Sequence, residues 1–208
     1  MIHGLLGRKL GMLQRFEPNG TVAAVTAIEA GPCHVTQIRT KEKDGYEAVQ
    51  LGFGQVKRLN QPERGHLKAV GESLKHLHEF KVDDLGEVEI GQRIGADLFQ
   101  VGDFVDVTAV SKGRGFAGVV RRHGFHGGPK THGQSDRHRS PGSIGSTTTP
   151  GRVLKGLRMA GQMGSKQVTV RGLRIVDVNP DRGLLLLQGG VPGPRTGLVT
   201  IRRSTRRK

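Results

Sequence analysis

TVAAVTAIEA, residues 21–30, is the stretch on which the fold turns. Apolar or β-branched side chains fall at both odd and even positions, the pattern of a strand covered on two faces. Outward from it, HVTQIRT (34–40) and YEAVQLGF (46–53) flank KEKDG, a turn-like loop containing Asp44-Gly45. FVDVTAVS (104–111) sets Val105, Val107 and Ala109 against Asp106 and Thr108. Further strands are predicted at QVTVRG (167–172), LRIVDVN (173–179), LLLLQG (184–189) and LVTIRR (198–203), with NPDRG (179–183) and GGVPGPRTG (189–197) as turns. Short strands punctuated by Gly and Pro predict a mainly β protein, a small antiparallel barrel or sandwich. The best place for short helix is NQPERGHLKAVGESLKHLHEF (60–80), where Pro62 suits a first turn and Gly65 and Gly71 limit length.

Strands on both sides of residues 111–166 predict one interrupted body, not two domains in series. The body is residues 1–110 and 167–208, with a small helix-containing part around 60–100. The intervening 56 residues are far longer than ordinary structureless loops, which are functional or disordered when they exceed about 15. As an out-and-back arm they would reach roughly 80–90 Å at most.

Charge divides the chain in the same way. The 208 residues carry a formal net charge of +15. Residues 79–106 hold eight acids against Lys81 and Arg93, whereas residues 111–166 hold eleven Lys and Arg against Asp136 alone. The tail RRSTRRK adds five more positive charges. Such an excess points to a polyanionic partner, nucleic acid before an anionic membrane surface. An insertion so charged is expected to be poorly ordered alone and ordered by that partner. Cys33 is the only cysteine, so an intrachain disulfide and a cysteine-rich zinc site are excluded. MIHGLLGRKLGMLQRF has no long apolar region of a secretory leader, and no run approaches a bilayer span. The expectation is a soluble, cytoplasmic protein with no membrane partner.

Three catalytic or ligand readings fail on spacing. SKGRGFAG (111–118) lacks the G-x-x-x-x-G-K-[ST] order of a P-loop, and no helix-forming βαβ pattern follows it. His123, His126, His132 and His138 fit no common zinc signature and suit phosphate or base contact better. Ser135, Asp136 and His138 are close in sequence but have no G-x-S-x-G elbow. No enzyme, metal or cofactor is expected. With no Trp and few aromatics in the insertion, a single-strand stacking platform is disfavoured. Backbone and shape recognition of folded RNA fits better, with Arg and Lys on phosphates and glycine permitting close approach.

With those residues in hand, the chain resembles the bacterial type of the large-subunit ribosomal protein L3 family over nearly its whole length. The resemblance rests on GLLGRKLGM (4–12), GPCHVTQIRT (31–40), DGYEAVQLGF (44–53), SKGRGFAGVVRRHGF (111–125), THG (131–133), HRSPGSIGS (138–146), TPGRVLKGLRMAGQMG (149–164) and VTVRGLRIV (168–176). It implies a six-stranded barrel of the translation-factor kind with a smaller α/β part. It also implies an extension that penetrates large-subunit rRNA toward the peptidyl transferase centre, binding near the 3′ end of that RNA early in subunit assembly, contacts with neighbouring ribosomal proteins, and no catalytic residues or homo-oligomer. The residues expected at the RNA are Arg8 and Lys9 on the body and, in the insertion, Lys112, Arg114, Arg121, Arg122, His123, His126, Lys130, His132, Arg137, His138, Arg139, Ser143, Thr147, Thr148, Arg152, Lys155, Arg158 and Lys166. Two positions depart from the family: His123 stands where many relatives have Trp, and Thr148 where some carry a methylated Gln. A free-standing RNA chaperone and an enzyme on the same barrel are the rival readings. The first lacks repeats or a single-strand module, and the second lacks a nucleophile, metal set or cofactor loop.

Overall fold

The computed structural model describes residues 2–17, 20–83, 85–86 and 88–205. Asp84 and Glu87 of the acidic window and residues 206–208 of the basic tail lie outside them. By internal contacts the chain forms two compact units, Met1–Val110 with Gln167–Lys208, and Ser111–Lys166.

In the first unit the strands are β1 (Gly4–Phe16), β2 (Val22–Ala30), β3 (Cys33–Arg39), β4 (Ala48–Gln55), β5 (Leu74–Lys81), β6 (Arg93–Ile94) and β7 (Phe104–Val110). β8 (Gly115–Ala117) and β9 (Gly161–Met163) belong to the second unit, and β10 (Gln167–Asn179), β11 (Leu184–Gln188) and β12 (Leu198–Arg203) return to the first. The protein is mainly β, as expected. Six strands pair antiparallel in the order β1-β12-β7-β10-β11-β2, and β2 pairs back onto β1, so the sheet closes on itself. A four-stranded sheet, β5-β4-β3-β6, accompanies it.

The strand that decides the fold is buried as its composition requires. Val25, Thr26 and Ile28 are fully covered, and the one hydroxyl among them donates from Thr26 Oγ1 to the carbonyl of Gly189 at 2.6 Å. β7 alternates as its sequence does, with Val105, Val107 and Ala109 buried. These join Ile28, Ile175, Leu185, Leu187, Val199 and Ile201 in a core continuous with Val35, Val49, Leu51 and Phe80 of the four-stranded sheet. β1 crosses close to its neighbours because it carries glycine. A Cβ on Gly4 would lie 2.5 Å from the Ile201 carbonyl oxygen and 2.5 Å from the Phe80 ring, and one on Gly7 would lie 2.6 Å from the Glu29 carbonyl oxygen.

Three local expectations change. KEKDG is one turn of helix, α1 (Lys41–Asp44), ended by Gly45 at φ 82° and tied by an ion pair between Arg39 and Asp44. In 60–80, helix is confined to α2 (Gln61–His66), where the Glu63 carboxylate accepts from the Asn60 N–H at 3.1 Å. Residues 74–81 are instead strand β5, because Leu74 and Phe80 are buried while Lys75, Leu77 and Lys81 are exposed, a period of two. Lastly, 167–172 and 173–179 are one strand. Gly172, at φ 68°, produces a register shift between Val170 and Leu173 rather than an end, and its N–H donates to Asp106 Oδ1 at 2.8 Å.

Candidate nucleic-acid interface

The unit Ser111–Lys166 begins and ends at a backbone staple. Ser111 N–H donates to the Lys166 carbonyl at 2.9 Å, and Lys166 N–H donates to Ser111 Oγ at 3.3 Å. Next come β8 and β9, paired antiparallel through Gly115 with Met163, Phe116 with Gln162 and Ala117 with Gly161. Gly164 makes the crossing possible: it sits at φ 77°, and a Cβ there would lie 2.2 Å from the Lys112 carbonyl oxygen. Ala117 and Val119 are buried. A short helix, α3 (Val119–His123), follows and is closed by Gly124 at φ 74°, so SKGRGFAG does lead into helix, though only a single turn of it.

Some of the basic side chains hold the unit together. Arg122 Nη1 donates to the Met159 carbonyl at 2.6 Å, and His123 Nε2 donates to the same oxygen at 3.1 Å. The path exists because residue 161 is glycine, whose Cβ would lie 2.8 Å from Arg122 Nη1. His138 likewise donates from Nδ1 to the Pro129 carbonyl at 3.0 Å, and Gly128 N–H donates to the His138 carbonyl at 3.0 Å. Nδ1 of His138 is thus engaged by Pro129, and the Ser135 hydroxyl donates to Asp136 Oδ1 at 3.2 Å. Among the described residues no group of three or more His, Cys, Asp or Glu side chains converges.

The remaining charge is left open. Lys112, Arg114, Arg121, His126, Lys130, His132, Arg137, Arg139, Arg152, Lys155, Arg158 and Lys166 are exposed, as are Ser143, Thr147 and Thr148. Among the described residues none of the unit's eleven Lys and Arg side chains forms an ion pair with a carboxylate. An open cleft of about 610 Å³ gathers part of this set, with His123, Phe125, His126, Arg137 and Arg158 in its lining.

On the body, Arg8 is exposed on β1. Lys9, beside it, is buried: its ammonium donates to the carbonyls of Val191 at 2.6 Å and Gly193 at 3.3 Å. Sequence reasoning pairs the two residues; the structure turns one to solvent and the other into the connection between β11 and β12. Phe116, one of the insertion's few aromatics and not among the residues expected at the RNA, is the large apolar side chain with the greatest exposure among those described, at 79%.

A β body interrupted by a compact unit whose eleven Lys and Arg side chains form no ion pair among the described residues defines a class, the strongly basic, mainly β proteins. Comparison with known proteins specifies it. The profile of the family Ribosomal protein L3 matches residues 71–183. The large ribosomal subunit protein uL3 of Herpetosiphon aurantiacus is 56% identical over 99% of this chain and 98% of its own. That of Roseiflexus sp. is 57% identical over 98% of both chains, and that of Acidothermus cellulolyticus 52% over 100% and 95%. The chain belongs to the ribosomal protein L3 family.

Proposed function

We propose that the protein is a structural constituent of the large ribosomal subunit and performs no catalysis. The observation that carries the reading is the unit Ser111–Lys166, with eleven cations, one acid and no internal ion pair among the described residues. A charge density of that kind is costly to assemble unless phosphates neutralise it. On this reading, which family membership supports, the polyanion is large-subunit rRNA, bound near its 3′ end early in assembly, with the 111–166 unit extended into the RNA toward the peptidyl transferase centre and the body among neighbouring ribosomal proteins. The closed six-stranded sheet is then the counterpart of the barrel found in translation factors.

Within that reading Arg114, Arg121, Lys130, Arg137, Arg139, Arg152, Lys155 and Arg158 meet phosphates, together with Lys112, Lys166 and, from the body, Arg8. His126, His132, Ser143, Thr147 and Thr148 supply hydrogen bonds, and Arg122, His123 and His138 shape the surface they share. Cytoplasmic location in the ribosome follows from the same role. The test is sedimentation of a cell lysate: the protein travels with large subunits in one-to-one ratio. A pool that stays at the top of the gradient while subunits remain complete overturns the proposal.

A further inference from the structure

Phe116 takes part in its unit through the β8–β9 ladder, while among the described residues its side chain makes no ring or cation contact. Its ring is 79% exposed. A single exposed apolar side chain is ordinary by itself; what distinguishes this ring is its setting. Its mounting is fixed. β8 is paired residue by residue with β9, and Ala117 and Val119 next to it are buried. The residue directly across the ladder is Gln162, so the two side chains share one face of the ribbon about 5 Å apart. Gln162 is also exposed, and its amide makes only a 3.5 Å contact to the Met163 carbonyl. Lys112 and Arg114, a few residues earlier, are exposed and without ion pairs among the described residues.

We propose that Phe116 and Gln162 form a site for one unstacked nucleobase of RNA, the ring stacking on the base and the amide bonding its edge. This rests on the RNA-binding reading above and adds to it a contact that is not electrostatic. Charge complementarity selects the occupant. A ring that follows exposed Lys112 and Arg114 closely in the chain suits a base whose own phosphate needs neutralising, whereas an apolar protein segment would leave those cations unserved. An amide can both donate and accept, which matches the mixed edge of a base. One ring cannot read a run of bases, so the site takes a single splayed nucleotide and the unit remains a reader of backbone and shape.

The experiment uses the full chain and a large-subunit rRNA transcript. Phe116→Leu keeps the apolar bulk and removes the π face; Phe116→Tyr keeps both. Because the side chain is exposed, neither change disturbs packing. Ultraviolet crosslinking followed by peptide mass spectrometry is expected to join Phe116 to one nucleotide, and Phe116→Leu to weaken binding about fivefold or more at unchanged salt dependence, with Phe116→Tyr close to the parent. Gln162→Ala is expected to weaken binding without moving the crosslink. If the parent binds RNA but yields no crosslink at Phe116, or Phe116→Leu binds as the parent does, the site is wrong while the RNA reading stands. If the parent does not bind the transcript at all, the underlying reading falls with it.

Discussion

Gly4 and Gly65 are the same amino acid under opposite constraints. A methyl group on Gly4 meets the Ile201 carbonyl oxygen and the Phe80 ring at 2.5 Å, and neither is the free end of a flexible chain. Gly4→Ala is expected to cost roughly 1–3 kcal/mol, the usual range for overpacking, read as a fall in the denaturant midpoint. Gly65 lies inside α2 with nothing within 4 Å and no positive φ. Gly65→Ala is expected to raise the same midpoint, by up to about 1 kcal/mol. Lys9 is a cation that serves the fold, its ammonium held by two backbone carbonyls. Lys9→Met leaves the Val191 and Gly193 carbonyls short of a donor and is expected to cost about 1–3 kcal/mol of stability. The salt dependence of RNA binding should stay as in the parent, which filter binding at several salt concentrations checks. Glu72 gives the fold a pH dependence. The Gln55 amide at 3.2 Å, then His34 and Arg93 nearby, hold its carboxyl below the ordinary 4.5, against a smaller opposing effect of burial. A carboxyl depressed in the folded state stabilises fully above its unfolded value and loses that contribution as pH falls through the folded one. Stability should therefore drop below about pH 4.5, and Glu72→Gln should flatten that acid limb in unfolding curves recorded across it.

Val110 and Gln167 are cross-strand partners on β7 and β10, so the chain leaves the body and re-enters it at one rung of a ladder. In topology the whole unit Ser111–Lys166 is the loop of a hairpin. Replacing it with Asn-Gly should leave a protein that unfolds cooperatively, because a two-residue turn closes such a ladder and a shorter loop costs less entropy. Loss of cooperative unfolding by circular dichroism would mean that the body depends on the unit. The elements differ in how openly the sequence displays them. β2 is legible because both its faces are apolar, and β7 because its faces differ. β5 reads as helix because His76 and His78 occupy the positions between Leu74 and Phe80, hiding the alternation under polar names. β1 and β10 are obscured by glycines that ordinarily end strands, but here permit close crossing at Gly4 and a register shift at Gly172. The cationic set is legible from composition alone. What composition leaves out is which cations the fold consumes: Lys9 and Arg122 are bound by carbonyls far along the chain, and no local pattern marks those partners.

At the scale of the molecule, the unpaired charge fixes how binding responds to ions. Each phosphate met by Lys or Arg releases counterions, with a log–log slope of about −0.9 per contact on duplex DNA. Affinity for rRNA should fall steeply with salt, and Arg137→Ala and Lys155→Ala should each flatten the slope by roughly one unit. A slope near zero in the parent would contradict the electrostatic account. The closed sheet has a consequence of a different kind, in time. β1 lies between β2 and β12, and its first residues pair only with the latter: Gly4 opposite Arg202, Leu6 opposite Thr200. While the chain is being made, β1 and β2 can join early, but the outer edge of β1 has no partner until residues 198–203 have been synthesised. Every nascent chain therefore passes through a stage with a bare strand edge, beside a long cationic segment already emerged. Such an edge is a template for pairing with other chains, so the newborn protein is most vulnerable to misassembly just before its ring of strands can shut.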